Sequence, residues 1–170
     1  FEHFDADAII DKMLKSKKME DPNYKYYGKT KQQIKKMWDD KRDLSSTAGT
    51  KMHNDIEYYY NNEPVDNDSL EFSYFKNFVR DNPHLKAYRT EWMIWDDKLK
   101  FAGSIDMTYI NEDGTIDIYD WKRSVGIKKE NRYQNALTKC IKHLPDSNYW
   151  HYCLQLNTYK ALLEKNYGVK

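Results

Sequence analysis

The chain has 170 residues, of which 39% are hydrophobic and 32% are charged, and its formal net charge is +1. This length suits a domain with a substantial core, and the composition excludes a disordered chain. No apolar run approaches the roughly 20 residues of a membrane-spanning helix, so no membrane partner is expected. The two cysteines, Cys140 and Cys153, exclude a disulfide framework or a four-cysteine metal site within the chain. Reduced thiols predict an intracellular protein.

Charge is strongly segregated along the sequence. Residues 12–36 carry nine Lys against two acids, and residues 122–142 carry seven Lys and Arg against one acid. Between them, residues 53–81 carry seven acids against two basic residues. Basic blocks around an acidic centre suit a site that contacts phosphates at its edges and holds cations in its middle. Such charge runs are also typical of solvated faces.

The first half of the chain has helical periodicity. The predicted helices cover residues 4–19, 31–43, 51–62 and 69–80. Thr30 is the expected N-cap of the second helix, and the small-residue stretch 45–50 is expected to separate it from the third. The first two helices are interpreted as an N-terminal helical appendage over residues 1–45.

From residue 87 the period changes to that of β-strands, with many β-branched and aromatic residues. The predicted strands cover residues 87–95, 99–110 and 115–122, and turn sequences separate them. This pattern predicts a three-stranded antiparallel meander. Two more helices are predicted over residues 129–143 and 149–166, the last one ending at Gly168.

The third predicted strand ends in a carboxylate and an ammonium group. Because side chains alternate along a strand, Asp120 and Lys122 are expected to share the face of Ile116 and Ile118. If this face is buried, both charges need partners, which a cation and a substrate phosphate would supply. An exposed ion pair at a strand end is the alternative interpretation.

Asp106 lies in the second predicted strand, where it could come beside Asp120. Two nearby carboxylates repel each other unless a divalent cation lies between them. Gly103 removes a side chain where another group could approach closely. His53 and Glu57 share one face of the third predicted helix, so Glu57 could orient the His53 ring or bind water on a metal. A partly buried structural histidine is the alternative.

The order of these motifs is more specific than any one of them. In chain order they are Gly49-Thr50, His53 with Glu57, Glu91, Gly103 to Asp106, Asp120-Trp121-Lys122, and Gln155 to Tyr159. This order, over about residues 46–168, resembles the RecB-like nucleases of the PD-(D/E)XK superfamily, although the name-giving Pro-Asp does not precede Asp106. The phrases HLPDSNY and LQLNTYK resemble nuclease domains of large DNA viruses and phages.

The resemblance implies an α/β (α+β) fold over residues 46–170. Its expected core is restriction-endonuclease-like, with a central mixed sheet of three or more strands flanked by helices. It also implies a deoxyribonuclease that uses Mg²⁺ or Mn²⁺ to hydrolyse phosphodiester bonds. The implied metal ligands are His53, Asp106, Asp120 and the backbone carbonyl of Trp121.

The resemblance assigns further roles around the metal. Lys122 would position the attacking water, and Glu91 would be a supporting catalytic acid. Gln155 and Tyr159 would contact the DNA backbone or brace the site. The basic segment 122–142 is expected to follow the phosphate backbone of the substrate. Its candidate contact residues are Arg123, Lys128 and Lys129.

The expected partner is DNA, as single strands or ends. Tyrosines could stack on unpaired bases or simply pack in the fold, and these are Tyr58, Tyr59, Tyr60 and Tyr133. Two alternatives stay open: an RNA endonuclease of the cap-snatching type, and a nucleic-acid-binding module with a relic nuclease site. A fused or associated helicase or primase is the protein partner considered, in a cytoplasmic, nuclear or viral setting.

Overall fold

The structure is a computed structural model that describes Phe1 and residues 3–169. Within these residues it contains four α-helices and one three-stranded sheet. The helices are α1 (Ala6–Leu14), α2 (Lys31–Tyr60), α3 (Leu70–Asp81) and α4 (Asn148–Asn166), and the strands are β1 (Lys86–Asp96), β2 (Phe101–Ile110) and β3 (Ile116–Tyr119). The combination of helices and a sheet confirms the mixed class predicted from the sequence.

The sheet has the order β1-β2-β3, and both strand pairs are antiparallel. The predicted meander is therefore confirmed, whereas the mixed sheet implied by the family resemblance is not found among the described residues. The reason is local, because a short turn joins each pair of strands and a tight connection can only reverse the chain. The second turn contains Gly114 at φ +80°, a conformation that favours glycine.

Backbone contacts divide the chain into two compact units, Phe1–Ala48 and Gly49–Lys170. The first unit buries Ile10 of α1 and Ile34 of α2. Thr30 and Gln33 form a reciprocal cap at the start of α2, because the Gln33 side chain accepts from the Thr30 N–H at 2.8 Å and the Thr30 hydroxyl accepts from the Gln33 N–H at 3.3 Å. The predicted cap at Thr30 is confirmed.

Helix α2 is continuous across residues 45–50, so the predicted break there is wrong. The stretch contains no proline, and its single glycine costs a helix only about 1 kcal/mol. Beyond it, the burial of Met52 and Ile56 stabilises the helix by more than that cost. The helix predicted over residues 4–19 is also divided, into α1 and a 3-10 turn at Lys17–Glu20. No helix in the described part of the chain, α2 included, is long and apolar enough to cross a membrane.

Two apolar clusters organise the second unit. One joins the sheet to α4 and contains Trp92, Ile94, Ile105, Tyr159, Leu162 and Leu163. The other joins α2 to α3 and contains Met52, Ile56, Phe72 and Phe75, with Trp121 packed against it. Each buried side chain of this size contributes roughly 1.5–3 kcal/mol. The helices therefore fix the strands that carry the candidate site residues.

Residues 129–143 do not form the predicted helix, and their only helical turn is the 3-10 segment Lys139–Ile141. The Asn131 side chain accepts hydrogen bonds from the N–H groups of Tyr133 and Gln134, at 3.0 and 3.3 Å. Such a local side-chain bond competes with helical hydrogen bonding. The Ala136 N–H donates instead to the Leu144 carbonyl at 2.9 Å. The segment is therefore a loop whose backbone is hydrogen-bonded to residues that precede α4.

Candidate metal centre

His53 of α2 lies close to two carboxylates of the sheet. Its Nδ1 atom is 3.6 Å from Asp106 Oδ2 and 3.7 Å from Glu91 Oε1. One donor atom from each of the three residues lies within 4.8 Å of the other two. Two donors on one Mg²⁺ or Mn²⁺ ion can be at most about 4.2 Å apart, because each bond is about 2.1 Å long. The two distances from His53 satisfy this limit.

Strand pairing brings Glu91 and Asp106 together. The flanking Cα pairs are Thr90 with Met107 and Trp92 with Ile105. Glu91 consequently lies across from Asp106 on the neighbouring strand. Its backbone has φ +42°, which is uncommon for a residue other than glycine. The Ser104 hydroxyl donates a 2.9 Å hydrogen bond to Glu91 Oε2. The second carboxylate oxygen of Glu91 is therefore held from within the sheet.

Asp106 is the most strongly perturbed acid of the group. Its side chain is only 10% exposed, and its Oδ2 atom accepts a 2.7 Å hydrogen bond from the Trp121 N–H. Burial, and next the charge of Asp120, raise the pKa of Asp106 to about 6, against the lowering effects of His53, the Trp121 N–H and Lys122. The protein itself thus leaves the negative charge of Asp106 incompletely balanced, and a bound cation would stabilise it.

Asp120 and Lys122 form an ion pair beside this group. The Lys122 Nζ atom is 2.5 Å from Asp120 Oδ2, and the Asp120 side chain is 7% exposed. Lys122 Nζ also lies 5.5 Å from the centre of the Tyr152 ring on α4. Strand β3 ends at Tyr119, so the prediction that the strand extends to Lys122 is wrong. The two residues meet in the loop that follows the strand.

The ligand atoms that lie together in the structure are not the full set that the family resemblance implies. His53 and Asp106 lie together, and Glu91, predicted as a supporting acid, is the third member of their cluster. Asp120 acts on Asp106 through its charge while its own oxygen contacts Lys122. For Trp121 the observed contact is its N–H, not its carbonyl.

Glu57 does not have the contact expected for orienting the ring of His53. Its carboxylate forms no hydrogen bond or ion pair with any residue that the structure describes, whereas the ring nitrogen of His53 faces the strand carboxylates. Helical spacing places the two residues on one side of α2. The sheet, which spacing within α2 does not reveal, determines the neighbours of His53.

Gln155 and Tyr159 are joined on α4, where the Gln155 amide donates to the Tyr159 hydroxyl at 3.0 Å. Tyr159 is 7% exposed and belongs to the cluster between α4 and the sheet. A Cβ atom placed on Gly103 would lie 2.6 Å from the Tyr159 ring. The expected close approach at Gly103 is therefore confirmed, and the group that approaches is Tyr159. Tyr159 is therefore placed to brace the sheet, and Gln155 contacts its hydroxyl group.

The three basic candidates differ in their contacts. Arg123 Nε lies 2.7 Å from Glu71 Oε1, and Lys129 Nζ lies 4.7 Å from the centre of the Tyr149 ring. Lys128 is exposed, and its backbone N–H donates to the Asn148 side chain at 2.8 Å. All three residues lie on the exposed segment that follows Lys122. This segment has the cationic surface expected of a region that contacts the phosphate backbone of a nucleic acid.

The candidate stacking tyrosines fall into two groups. Tyr60 is partly buried, with its hydroxyl 2.5 Å from that of Tyr109, and Tyr59 packs edge to face on Phe75. Tyr58 is partly exposed, and Tyr133 is 94% exposed. Packing thus accounts for Tyr60, whereas Tyr59 is 39% exposed despite its contact with Phe75. Tyr133 is the tyrosine of this set most open to a ligand.

Sequence reasoning did not single out Ser104 or Tyr152. Ser104 could have been found, because it lies two residues before Asp106 and strand periodicity puts it on the same face. Tyr152 carried no such signal, because only the packing of α4 brings it to Lys122. Contacts of this kind depend on tertiary structure and not on spacing.

Comparisons of the chain with models of protein families, with curated proteins and with solved structures found no match. The donor set can still be tested for the ions that it suits. Carboxylate oxygens suit Mg²⁺ and Mn²⁺, and a nearby imidazole suits Mn²⁺ better than Mg²⁺. The close carboxylates and the raised pKa of Asp106 are the features that such an ion would relieve. The residues present fit the expected cofactor.

Proposed function

We propose that this chain is a divalent-metal-dependent nuclease that hydrolyses DNA phosphodiester bonds. We also propose that the second unit has the restriction-endonuclease-like core of RecB-like PD-(D/E)XK nucleases. The single observation that best supports the activity is the convergence of His53, Glu91 and Asp106, with donor atoms within 4.8 Å of one another. Lys122, a cationic group able to contact a phosphate, lies beside them.

The proposed holders of Mg²⁺ or Mn²⁺ are His53, Glu91 and Asp106, and Asp120 adds negative charge next to them. A divalent cation, when bound, supplies Lewis-acid polarisation of a phosphate oxygen and makes a water more acidic. In the hydrolysis, a water oxygen bonds to phosphorus, the bond from phosphorus to the leaving sugar oxygen breaks, and that oxygen gains a proton.

Lys122 is proposed to orient the attacking water and to offset the negative charge that develops on the phosphate. Its Nζ atom is held by Asp120 at 2.5 Å and lies over the Tyr152 ring, so two contacts fix the ammonium group. A lysine fixed in advance loses less freedom when the substrate binds. Asp120 therefore has two proposed roles: it anchors Lys122 and adds charge to the metal site.

The proposed substrate is single-stranded DNA or a DNA end. The exposed residues 123–130 follow Lys122 directly and include Arg123, Lys128 and Lys129. Such a cationic segment suits the phosphate backbone, and the exposed ring of Tyr133 suits an unpaired base. With Cys140 and Cys153 both free, we further propose an intracellular location.

The test is incubation of fluorescent single-stranded DNA with the purified chain and Mn²⁺, Mg²⁺ or EDTA. We expect cutting with either metal, none in EDTA, and none with Lys122→Ala. The matched control is Lys160→Ala, which removes a lysine that also pairs with a carboxylate, Glu164, on the exposed surface of α4. That variant should cut like the wild type.

Other outcomes separate the alternatives. Cutting by Lys122→Ala at the wild-type rate would contradict the proposed role of that lysine. A single-stranded RNA of the same sequence provides the second substrate, and cutting of RNA alone would support the cap-snatching type. Metal-independent binding of DNA without cutting of either substrate would support a binding module with a relic site.

A further inference from the structure

Glu91 has a backbone conformation that strand pairing alone does not require. Its φ of +42° lies in the left-handed region, although it stands inside β1 and is not glycine. In this conformation its Oε1 atom lies 3.7 Å from His53 Nδ1. The residue of β1 with this uncommon backbone conformation is thus the one that offers a carboxylate to the candidate metal centre.

Ser104 holds the other oxygen of the same carboxylate. Its hydroxyl donates to Glu91 Oε2 at 2.9 Å, from the neighbouring strand β2. Ser104 pairs with Met93, two residues along β1 from Glu91, so the contact is diagonal across the sheet. The hydrogen bond therefore fixes the orientation of the carboxylate, with Oε2 toward Ser104 and Oε1 toward His53.

An oxygen that accepts one hydrogen bond keeps a second lone pair, so the bond from Ser104 restricts Glu91 through the orientation of its carboxylate. Turning the carboxylate until both oxygens face one cation would stretch or break that bond. Mg²⁺ requires nearly octahedral coordination at 2.0–2.1 Å, whereas Ca²⁺ takes 6–8 ligands at 2.3–2.6 Å and often binds both oxygens of a carboxylate. Restricting Glu91 to one oxygen therefore favours the smaller ions. Hydrogen-bonded partners of ligands commonly tune metal affinity in this manner.

We propose that Ser104 is a positioning residue that limits Glu91 to one-oxygen coordination and so makes the centre prefer Mn²⁺ or Mg²⁺ over Ca²⁺. This inference rests on the proposed metal site. It does not require that the bound ion supports DNA cleavage. It concerns the choice of ion, which the donor atoms of His53, Glu91 and Asp106 do not determine by themselves.

The chain offers a matched set of variants. Ser104→Ala removes the hydroxyl, and Ser104→Thr keeps it. Thr108→Val removes a second hydroxyl from β2, one that donates to the Arg89 carbonyl at 2.9 Å and not to the candidate centre. Thr108 is fully buried, so its replacement controls for general damage to the sheet.

The experiment is calorimetric titration of Mn²⁺ and, separately, Ca²⁺ into the full chain without nucleic acid. We expect Ser104→Ala to bind Mn²⁺ about tenfold more weakly, the lower end of the usual effect for such partners. Its Ca²⁺ affinity should stay equal or rise, so the preference for Mn²⁺ falls by about tenfold or more. Ser104→Thr should restore the preference, and Thr108→Val should lower the melting temperature while leaving the preference unchanged.

Each contrary result has a separate meaning. A wild-type preference in Ser104→Ala, an equal loss of both ions, or failure of Ser104→Thr to restore the preference would overturn the role of Ser104. If the wild type binds neither ion, both the inference and the metal site fail. If the ions bind as expected but DNA is not cut, the inference stands and the proposed nuclease function fails.

Discussion

Two largely buried acidic side chains of the β1–β2 hairpin have opposite surroundings. Asp96 is 4% exposed, and its Oδ2 atom lies 2.6 Å from Lys165 Nζ. The Lys165 contact, then the Leu99 N–H and the Asn166 amide, hold the pKa of Asp96 well below its usual value. Asp106 has one backbone N–H donor and a neighbouring carboxylate, and its pKa is raised to about 6.

The difference separates a structural acid from a candidate ligand. At Asp96 the fold supplies its own positive charge and hydrogen-bond donors, so no external ion is needed. At Asp106 a second acid lies nearby and compensation is incomplete, which is typical of functional sites. Perturbation of a carboxylate alone therefore does not mark the site. The direction of the pKa shift, together with the neighbouring ligand atoms, distinguishes the candidate site.

The largest expected effect is on cleavage. Asp120→Ala removes the anchor of Lys122 and part of the charge at the metal centre, so we expect at least a roughly 100-fold loss of cutting. Asp117→Ala removes an exposed acid three residues earlier on β3 and should leave the rate within about twofold, as is usual for exposed positions. Initial rates on labelled single-stranded DNA measure both variants, and equal rates would show that Asp120 is not part of the site.

The next largest expected effect is on the stability of the metal-free chain, and it arises from the carboxylate of Asp106. Its folded pKa, about 6, lies above its ordinary value of 3.8. The favourable contribution of Asp106 to folding stability is therefore fully present below pH 3.8 and is lost as the pH rises through 6. Asp106→Asn removes this loss, so the variant should be more stable than the wild type by about 1–3 kcal/mol at pH 8. The advantage should shrink toward zero near pH 4.

Urea unfolding in EDTA at pH 4, 6 and 8 measures this difference. The Asp106→Asn variant should also lose the stabilisation that Mn²⁺ gives the wild type. A variant that is less stable than the wild type at pH 8 would mean that Asp106 is a satisfied structural acid, like Asp96.

The Asp96→Asn substitution should change folding stability in the opposite direction and destabilise the chain. A carboxylate with a lowered pKa contributes stability that is present above its ordinary value of 3.8 and is lost as the pH falls below it. The variant should therefore melt at a lower temperature than the wild type at pH 7, and the gap should narrow toward pH 3. Thermal melts over this range in EDTA give the comparison. A constant gap at every pH would assign the loss to packing and not to charge.

A comparable effect, without a change in charge, is expected at Gly103. Adding a Cβ atom there brings it to 2.6 Å from the Tyr159 ring, so Gly103→Ala should destabilise the chain by about 1–3 kcal/mol. The double variant with Tyr159→Leu should recover part of this loss, because the ring is removed. Urea unfolding of the two single variants and the double variant measures the coupling, and strictly additive losses would contradict the contact.

Much of the fold follows from periodicity and turn chemistry. Helix α3 was predictable because its apolar residues recur at helical spacing and include the buried Phe75, and the antiparallel meander was predictable because turn sequences separate its strands. The apolar residues of α4 show little preference for one face, so this helix was predictable mainly from its end at Gly168. Ser45 to Thr50 were misleading, because small residues weaken a helix without ending it when the turn that follows is buried, as it is at Met52 and Ile56. The loop at 129–143 could not be predicted from spacing, because the side chain of Asn131 and the partner at Leu144 divert its backbone hydrogen bonds.

The candidate site was predictable in its members more than in their grouping. The spacing of charged residues in β-rich segments pointed to Asp106, Asp120 and Lys122. It did not reveal that Glu91, with a left-handed backbone, is in the cluster of His53, while Asp120 pairs with Lys122. Such choices depend on strand register and on side-chain contacts across elements, which a linear pattern does not contain.

The most direct test of the central claim compares Asp106→Asn with Asp96→Asn in Mn²⁺-dependent cutting of single-stranded DNA, at a temperature where both variants are folded. We expect Asp96→Asn to cut at nearly the wild-type rate and Asp106→Asn not to cut. Equal cutting by the two variants, or cutting by neither the variants nor the wild type with any metal, would contradict that claim.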